Sequence, residues 1–166
     1  MDIGNSLQVI AEVSIAFAGF SGLIVALRKS PGPLTEVQKF RIQLLLWLAF
    51  GALFLSFLPA IVRSFGAGES EVWKIGNASL LAYSLLFNTW ALINTIRIAK
   101  TAPEIFNWFA FARMNTGHLL IIALQVYALV SSRSELAPAA FLAGLIWYLL
   151  HATQQFCRML FVQTSE

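Results

Sequence analysis

Apolar and polar positions do not alternate along this chain; the apolar ones run together. Residues 7–27, 42–62, 75–98, 114–130 and 139–162 are mostly apolar. Each is close to the roughly 20 residues that a helix needs to cross a bilayer. The pattern predicts an all-α, polytopic transmembrane helix bundle of five spans, with residues 1–166 forming a single transmembrane domain.

The breaks between the runs carry turn and cap residues. Ser30-Pro31-Gly32-Pro33 ends the first run. Thr35 followed by Gln38 reads as a capping box, which starts the second helix ahead of its apolar stretch. Gly66-Ala67-Gly68 separates the second and third. Thr101 with Glu104, and Pro103 between them, reads as a further capping box opening the fourth. Residues 131–137, then Pro138, separate the fourth and fifth. Residues 101–130 are too many for one perpendicular crossing, so the first turns of the fourth helix are expected in the interface. Ala16-Phe17-Ala18 mimics a signal-peptide cleavage site. The stretch before it holds Asp2 and Glu12 rather than a basic region, so the first run is expected to stay as a helix.

Composition agrees with the pattern. Hydrophobic residues make up 58% and charged residues 11% of the 166, against about 25% charged in soluble domains. So few charges cannot cover a water-facing surface, and lipid is the expected surroundings. The single cysteine, Cys157, excludes an intrachain disulfide and is expected to be a small buried apolar group.

The net charge of +3 sits in short basic clusters between apolar runs, a pattern of membrane orientation and not of nucleic-acid binding. Arg28, Lys29, Lys39, Arg41, Arg97, Lys100, Arg113 and Arg158 fall on one side of the five-span topology. Arg63, Lys74 and Arg133 fall on the other. By the positive-inside rule the richer side is cytoplasmic. That places the N-terminus outside and the C-terminus inside, in a bilayer expected to be a bacterial inner membrane.

The first helix divides its residues by size. Val9, Ile10, Val13, Phe17, Phe20, Ile24 and Leu27 fall on one side; Ala11, Ser14, Ala18, Gly19, Gly22 and Ala26 fall on the other. Without a hydrophobic drive between helices in lipid, small residues permit the close approach that holds helices together. The small side is expected to meet protein, within one subunit or between subunits. The second helix repeats the theme with Ala49, Ala52, Ser56 and Ala60. Pro59 beside them frees the carbonyl of Leu55.

Three polar features stand out. Glu12 falls on the small side of the first helix and is expected to face protein, with Arg63 or Lys74 as candidate partners. Asn77, Ser84, Asn88 and Thr95 line one face of the third helix, interrupted by Leu81. Together with Glu12 they make a candidate ion or proton path; the alternative is interhelical hydrogen bonding, Asn77 to the carbonyl freed by Pro59 for example. Finally, His118 and His151 lie almost equally far from the turn joining the last two helices, so a hairpin sets them at similar depth. Arg113 accompanies the first, and Gln155 and Arg158 follow the second at i+4 and i+7. This is a candidate lipid, anion or ligand cluster. Two histidines on facing helices also suit axial ligation of a haem, although no cofactor is the primary expectation. Zinc would need further ligands.

No phosphate-cradling loop, nucleophile elbow or metalloprotease helix is present, so no enzyme activity is expected. The leading expectation is a homo-oligomeric channel or transport protein. The alternative is a sensor, effector or accessory subunit acting through a protein partner. A haem-binding electron-transfer subunit is the third.

Overall fold

The computed structural model describes residues 3–26, 34–101, 103, 108–131 and 135–162, with side chains left undescribed at 23–26, 110 and 160–162. They form five helices: α1 (Ile3–Ala26), α2 (Glu36–Ser64), α3 (Glu69–Thr101), α4 (Trp108–Val130) and α5 (Leu136–Val162). Helices satisfy their own backbone groups, which a bilayer core demands.

Four of the five are long and apolar enough to cross a membrane: 3–22, α2, α3 and Leu136–Met159. This is consistent with an integral membrane protein. Trp108–Val130 is not among the four; Arg113, Asn115, His118 and Gln125 lower its hydropathy.

The caps explain where the helices begin. Thr35 and Gln38 form the expected capping box: the Gln38 amide donates to Thr35 Oγ1 at 3.2 Å, and the Thr35 amide to Gln38 Oε1 at 3.1 Å. Gly66 has φ +85°, a left-handed turn that glycine adopts without strain and that lets α2 reverse into α3. The capping box expected at Thr101 is different. Thr101 is the last residue of α3, and its hydroxyl donates back to the carbonyls of Arg97 and Ile98. Its expected partner Glu104 lies outside the described residues, as do residues 27–33 of the first loop.

α5 is the central element and packs against each of the other four helices, while α2 packs on α1, α3 and α5. Residue pairs fix the directions. Phe40 stacks near Trp90 and Trp47 near Tyr83, so α2 and α3 are antiparallel. The Asn77–Ala137 and Ser84–Tyr148 bonds make α3 and α5 parallel. The core runs through Leu45, Leu48, Leu80, Phe87, Phe141 and Tyr148. Exposed Phe54, Leu86, Ile93 and Leu120 form the outer surface. One end of the bundle gathers the C-termini of α1, α3 and α5; it is called the basic end below.

Close packing rests on three glycines, one of them Gly144 against Leu80. A side-chain carbon at Gly51 would overlap the Tyr83 ring, and one at Gly117 would overlap the Trp147 ring. On α2, Ala49, Ala52, Ser56 and Pro59 are buried as a small face, and Ala60 is exposed.

α1 corrects the expectation drawn from size. Its buried side is Leu7, Ile10, Ala11, Ser14 and Ser21, with Phe17 and Ala18 half-buried. This face straddles the bulky and the small sides. Gly19 and Gly22 therefore point away from the bundle, with nothing within 4 Å of a carbon placed on either. The side chain of Ala26 lies outside the described residues.

Candidate functional site

The polar residues singled out by sequence divide into three places. Glu12 is exposed rather than buried in protein, at a groove between α1 and α2 that Ala60 and Arg63 also line. It accepts a hydrogen bond from Gln8 Nε2 at 3.0 Å. Arg63 is not its partner; Arg63 pairs with Glu69 at 2.8 Å.

Asn77 and Ser84 are fully buried and spent on interhelical bonds. Asn77 Nδ2 donates to the carbonyls of Trp73 (2.8 Å) and Ala137 (2.9 Å), not to the carbonyl near Pro59. The Ser84 and Tyr148 hydroxyls lie 2.6 Å apart. Leu80, Phe141 and Leu145 are fully buried around them. Packing is closed around these two residues, so among the described residues Asn77 and Ser84 line no open path.

Asn88 and Thr95 belong elsewhere. They line a cavity of about 300 Å³ towards the basic end, together with Arg41, His118, His151, Gln155 and Arg158. Two sets of residues that the sequence kept apart, the far half of the α3 line and the histidine cluster, thus share one space. Arg41 is the member that sequence reasoning used only for topology. Its helical phase held the signal: Arg41, Leu44, Leu45 and Leu48 are spaced i, i+3, i+4, i+7, and the three leucines are buried.

With the Gln155 amide nitrogen as donor, the histidine chain runs in one direction. Gln155 Nε2 lies 2.9 Å from His151 Nε2, and His151 Nδ1 lies 2.8 Å from His118 Nε2. An amide nitrogen only donates. In the neutral tautomers His151 Nε2 is then the acceptor, His151 Nδ1 carries the proton, and it donates to His118 Nε2. The proton of His118 must sit on Nδ1. That atom is buried and has no partner.

It is not alone. Among the described residues, Asn88 Nδ2 and Trp147 Nε1 are also buried donors without partners. Asn88 and His118 line the cavity, and the Trp147 ring stands edge-on to His118 at 5.8 Å between centroids. Every partnerless buried side-chain atom at this end is a donor. The two partnerless acceptors, Asn77 Oδ1 and Gln125 Oε1, belong to side chains bonded to the carbonyls of Ala137 and Ala140, in the first turns of α5 at the opposite end.

The arginines add charge of the same sense. With its amide oxygen turned to the guanidinium groups, Gln154 accepts from Arg113 at 2.5 Å and from Arg158 at 3.2 Å. Arg158 feels the positive charges of both Arg113 and Arg41. Among the described residues the ion pairs are Lys39–Glu36 and Arg63–Glu69, so no carboxylate neutralises the three arginines.

No protein-family model, curated protein or solved structure matches this chain. The chemistry of the cavity therefore carries the functional reading.

A haem does not fit between the two histidines. Their nitrogens meet at hydrogen-bond distance, and Phe87, Tyr148 and Trp147 crowd the rings. Among the described residues no group of three or more His, Cys, Asp or Glu side chains is placed to hold a metal ion. Cys157 is a half-buried free thiol away from the cavity lining.

Proposed function

We propose that this integral membrane protein binds a small anionic ligand in the cavity between α2, α3, α4 and α5. One observation carries the reading: among the described residues, the buried atoms left without partners there, Asn88 Nδ2 and His118 Nδ1 with Trp147 Nε1 behind, are read as donors, beside arginines with no carboxylate paired to them. A buried unsatisfied donor costs about 1–3 kcal/mol, so two on residues of the cavity lining, Asn88 and His118, favour a ligand that brings acceptors. Arginine forks suit oxyanions, which they bind bidentately.

In this reading α4 crosses the bilayer as the fifth span, and the basic end faces the cytoplasm of a bacterial cell. The eight-to-three division of basic residues and the exposed Leu119 and Leu120 of α4 support it. The protein acts by binding rather than by catalysis, as a sensor or effector whose occupied state is read by a partner protein. Thermal unfolding in mild detergent against chloride, sulfate, phosphate and short dicarboxylates tests the site. An oxyanion is expected to raise the midpoint in wild type and not in Arg41→Gln/Arg158→Gln. No rise with any oxyanion removes the proposal.

A second reading has its own observation. The outward side of α1 carries exposed Glu12, and Gly19 and Gly22 with nothing within 4 Å of a carbon placed on either. A homo-oligomeric channel or transport path would have to run there, between copies, since the interior is closed at Ser84–Tyr148. Flux across liposomes that is lost in Glu12→Gln would favour this reading; flux unchanged by that substitution would set it aside.

A further inference from the structure

Leu92 links the cavity to the lipid. It lines the cavity and is also 42% exposed on α3, next to Ile93 and one turn before Ile96, both exposed. The cavity is thus continuous with the hydrocarbon-facing flank of the bundle. Much of its remaining wall is apolar, Val37, Phe40, Leu44, Phe111 and Met114, with Thr95 and Asn115 as polar members. A soluble anion would use the donors and leave this wall bare. A molecule with a charged head and an apolar body would use both.

Donor number selects the head. Arg41, Arg158, Asn88 and His118 line one space. A carboxylate offers two oxygens, whereas a phosphate offers up to four and suits paired arginine forks. Size selects how much of the molecule enters. At about 300 Å³ the cavity is at the low end of ligand pockets, which span about 300–1,000 Å³. It has room for a phosphate and the atoms next to it, not for acyl chains.

We propose that the ligand is an acidic phospholipid of the simple phosphatidic acid type. Its phosphate sits between Arg41, Arg158, Asn88 and His118, and its chains leave past Leu92 along α3. This rests on the anion reading of the same cavity and adds the source of the anion.

The test uses the full chain in mild detergent, with native mass spectrometry and thermal unfolding as paired readouts. The probes are dioleoyl phosphatidic acid, dioleoyl phosphatidylcholine and inorganic phosphate. Phosphatidic acid is expected to bind at least tenfold more tightly than phosphatidylcholine. Arg41→Gln/Arg158→Gln should lose at least tenfold of that affinity, and the control Arg63→Gln/Lys74→Gln, at the opposite end, should keep it. Should the arginine variant not fold, Asn88→Leu replaces it, with an expected loss of about fivefold. Equal binding of the two lipids, or equal loss in both double variants, overturns the lipid proposal. Inorganic phosphate protecting as strongly as phosphatidic acid, with the same dependence on Arg41 and Arg158, also overturns it and leaves the anion reading intact. No response to any probe overturns both.

Discussion

Asn77 and Asn88 lie on the same side of α3, about three turns apart, and the bundle treats them in opposite ways. Asn77 has its donor nitrogen on two carbonyls, one of them the Ala137 carbonyl of α5, and only its acceptor oxygen is left over. Asn88 has its donor nitrogen buried with nothing to bond. Polar side chains inside membrane bundles commonly act as glue, each bond being worth about 0.6 kcal/mol. Asn77 fits that description and Asn88 does not. Around Asn77 and Ser84 the packing is closed; around Asn88 there is a cavity and, among the described residues, two further unpartnered donors and arginines without a paired carboxylate. The type of residue is the same, and the company it keeps separates a structural bond from a binding site.

Substitutions can break this contrast. The largest effect is expected from Arg41→Gln/Arg158→Gln. Hydrogen bonds to charged groups are worth about 1.5–3 kcal/mol each, so the pair should cost about 3–6 kcal/mol of oxyanion binding, measured by titration calorimetry. Gly117→Ala should come next. Its new methyl would overlap the Trp147 ring, and overpacking of this kind costs about 1–3 kcal/mol. The loss should show in chemical unfolding, along with a changed Trp147 fluorescence as the ring moves off His118.

Asn88→Leu and Asn77→Leu sharpen the comparison because their signs differ. Asn88→Leu removes an unpartnered donor, so stability should hold or rise while oxyanion affinity falls. Asn77→Leu removes a bond to Ala137 and should lower stability by about 0.6 kcal/mol, leaving affinity unchanged. Equilibrium unfolding and binding, run side by side on both variants, separate the two outcomes. A stability loss in Asn88→Leu as large as in Asn77→Leu would place both residues in the same structural role.

Much of the architecture was legible in the sequence for plain reasons. Apolar runs of spanning length gave the helices, and Thr35 with Gln38 gave a start that depends only on local geometry. The similar depth of His118 and His151 followed from almost equal spacing about a short turn. The errors concern which way a helix faces. Sorting α1 by size located the residues that permit close approach, yet the side that meets α2 and α5 is set by where those helices lie. Glu12, Gly19 and Gly22 came out on the exposed side for that reason. The cavity was illegible for a related one. Arg41 joins it from α2, which is remote in sequence from α4 and α5, and only the packing of α2 on α5 brings it to Arg158. Ser84 and Asn88 also look alike on a helical wheel; nothing local says that Tyr148 will close on one and leave the other open.

The most direct measurement is of the proton on His118 Nδ1, the donor that the histidine chain leaves without a partner. Nitrogen-15 NMR of histidine-labelled protein in bicelles reads that N–H. An added oxyanion ligand, phosphatidic acid first, is expected to shift this resonance downfield as the donor gains an acceptor, and to leave the His151 Nδ1–His118 Nε2 bond in place. A His118 Nδ1 signal that stays put under saturating oxyanion, or a proton found on Nε2 instead, would contradict the account.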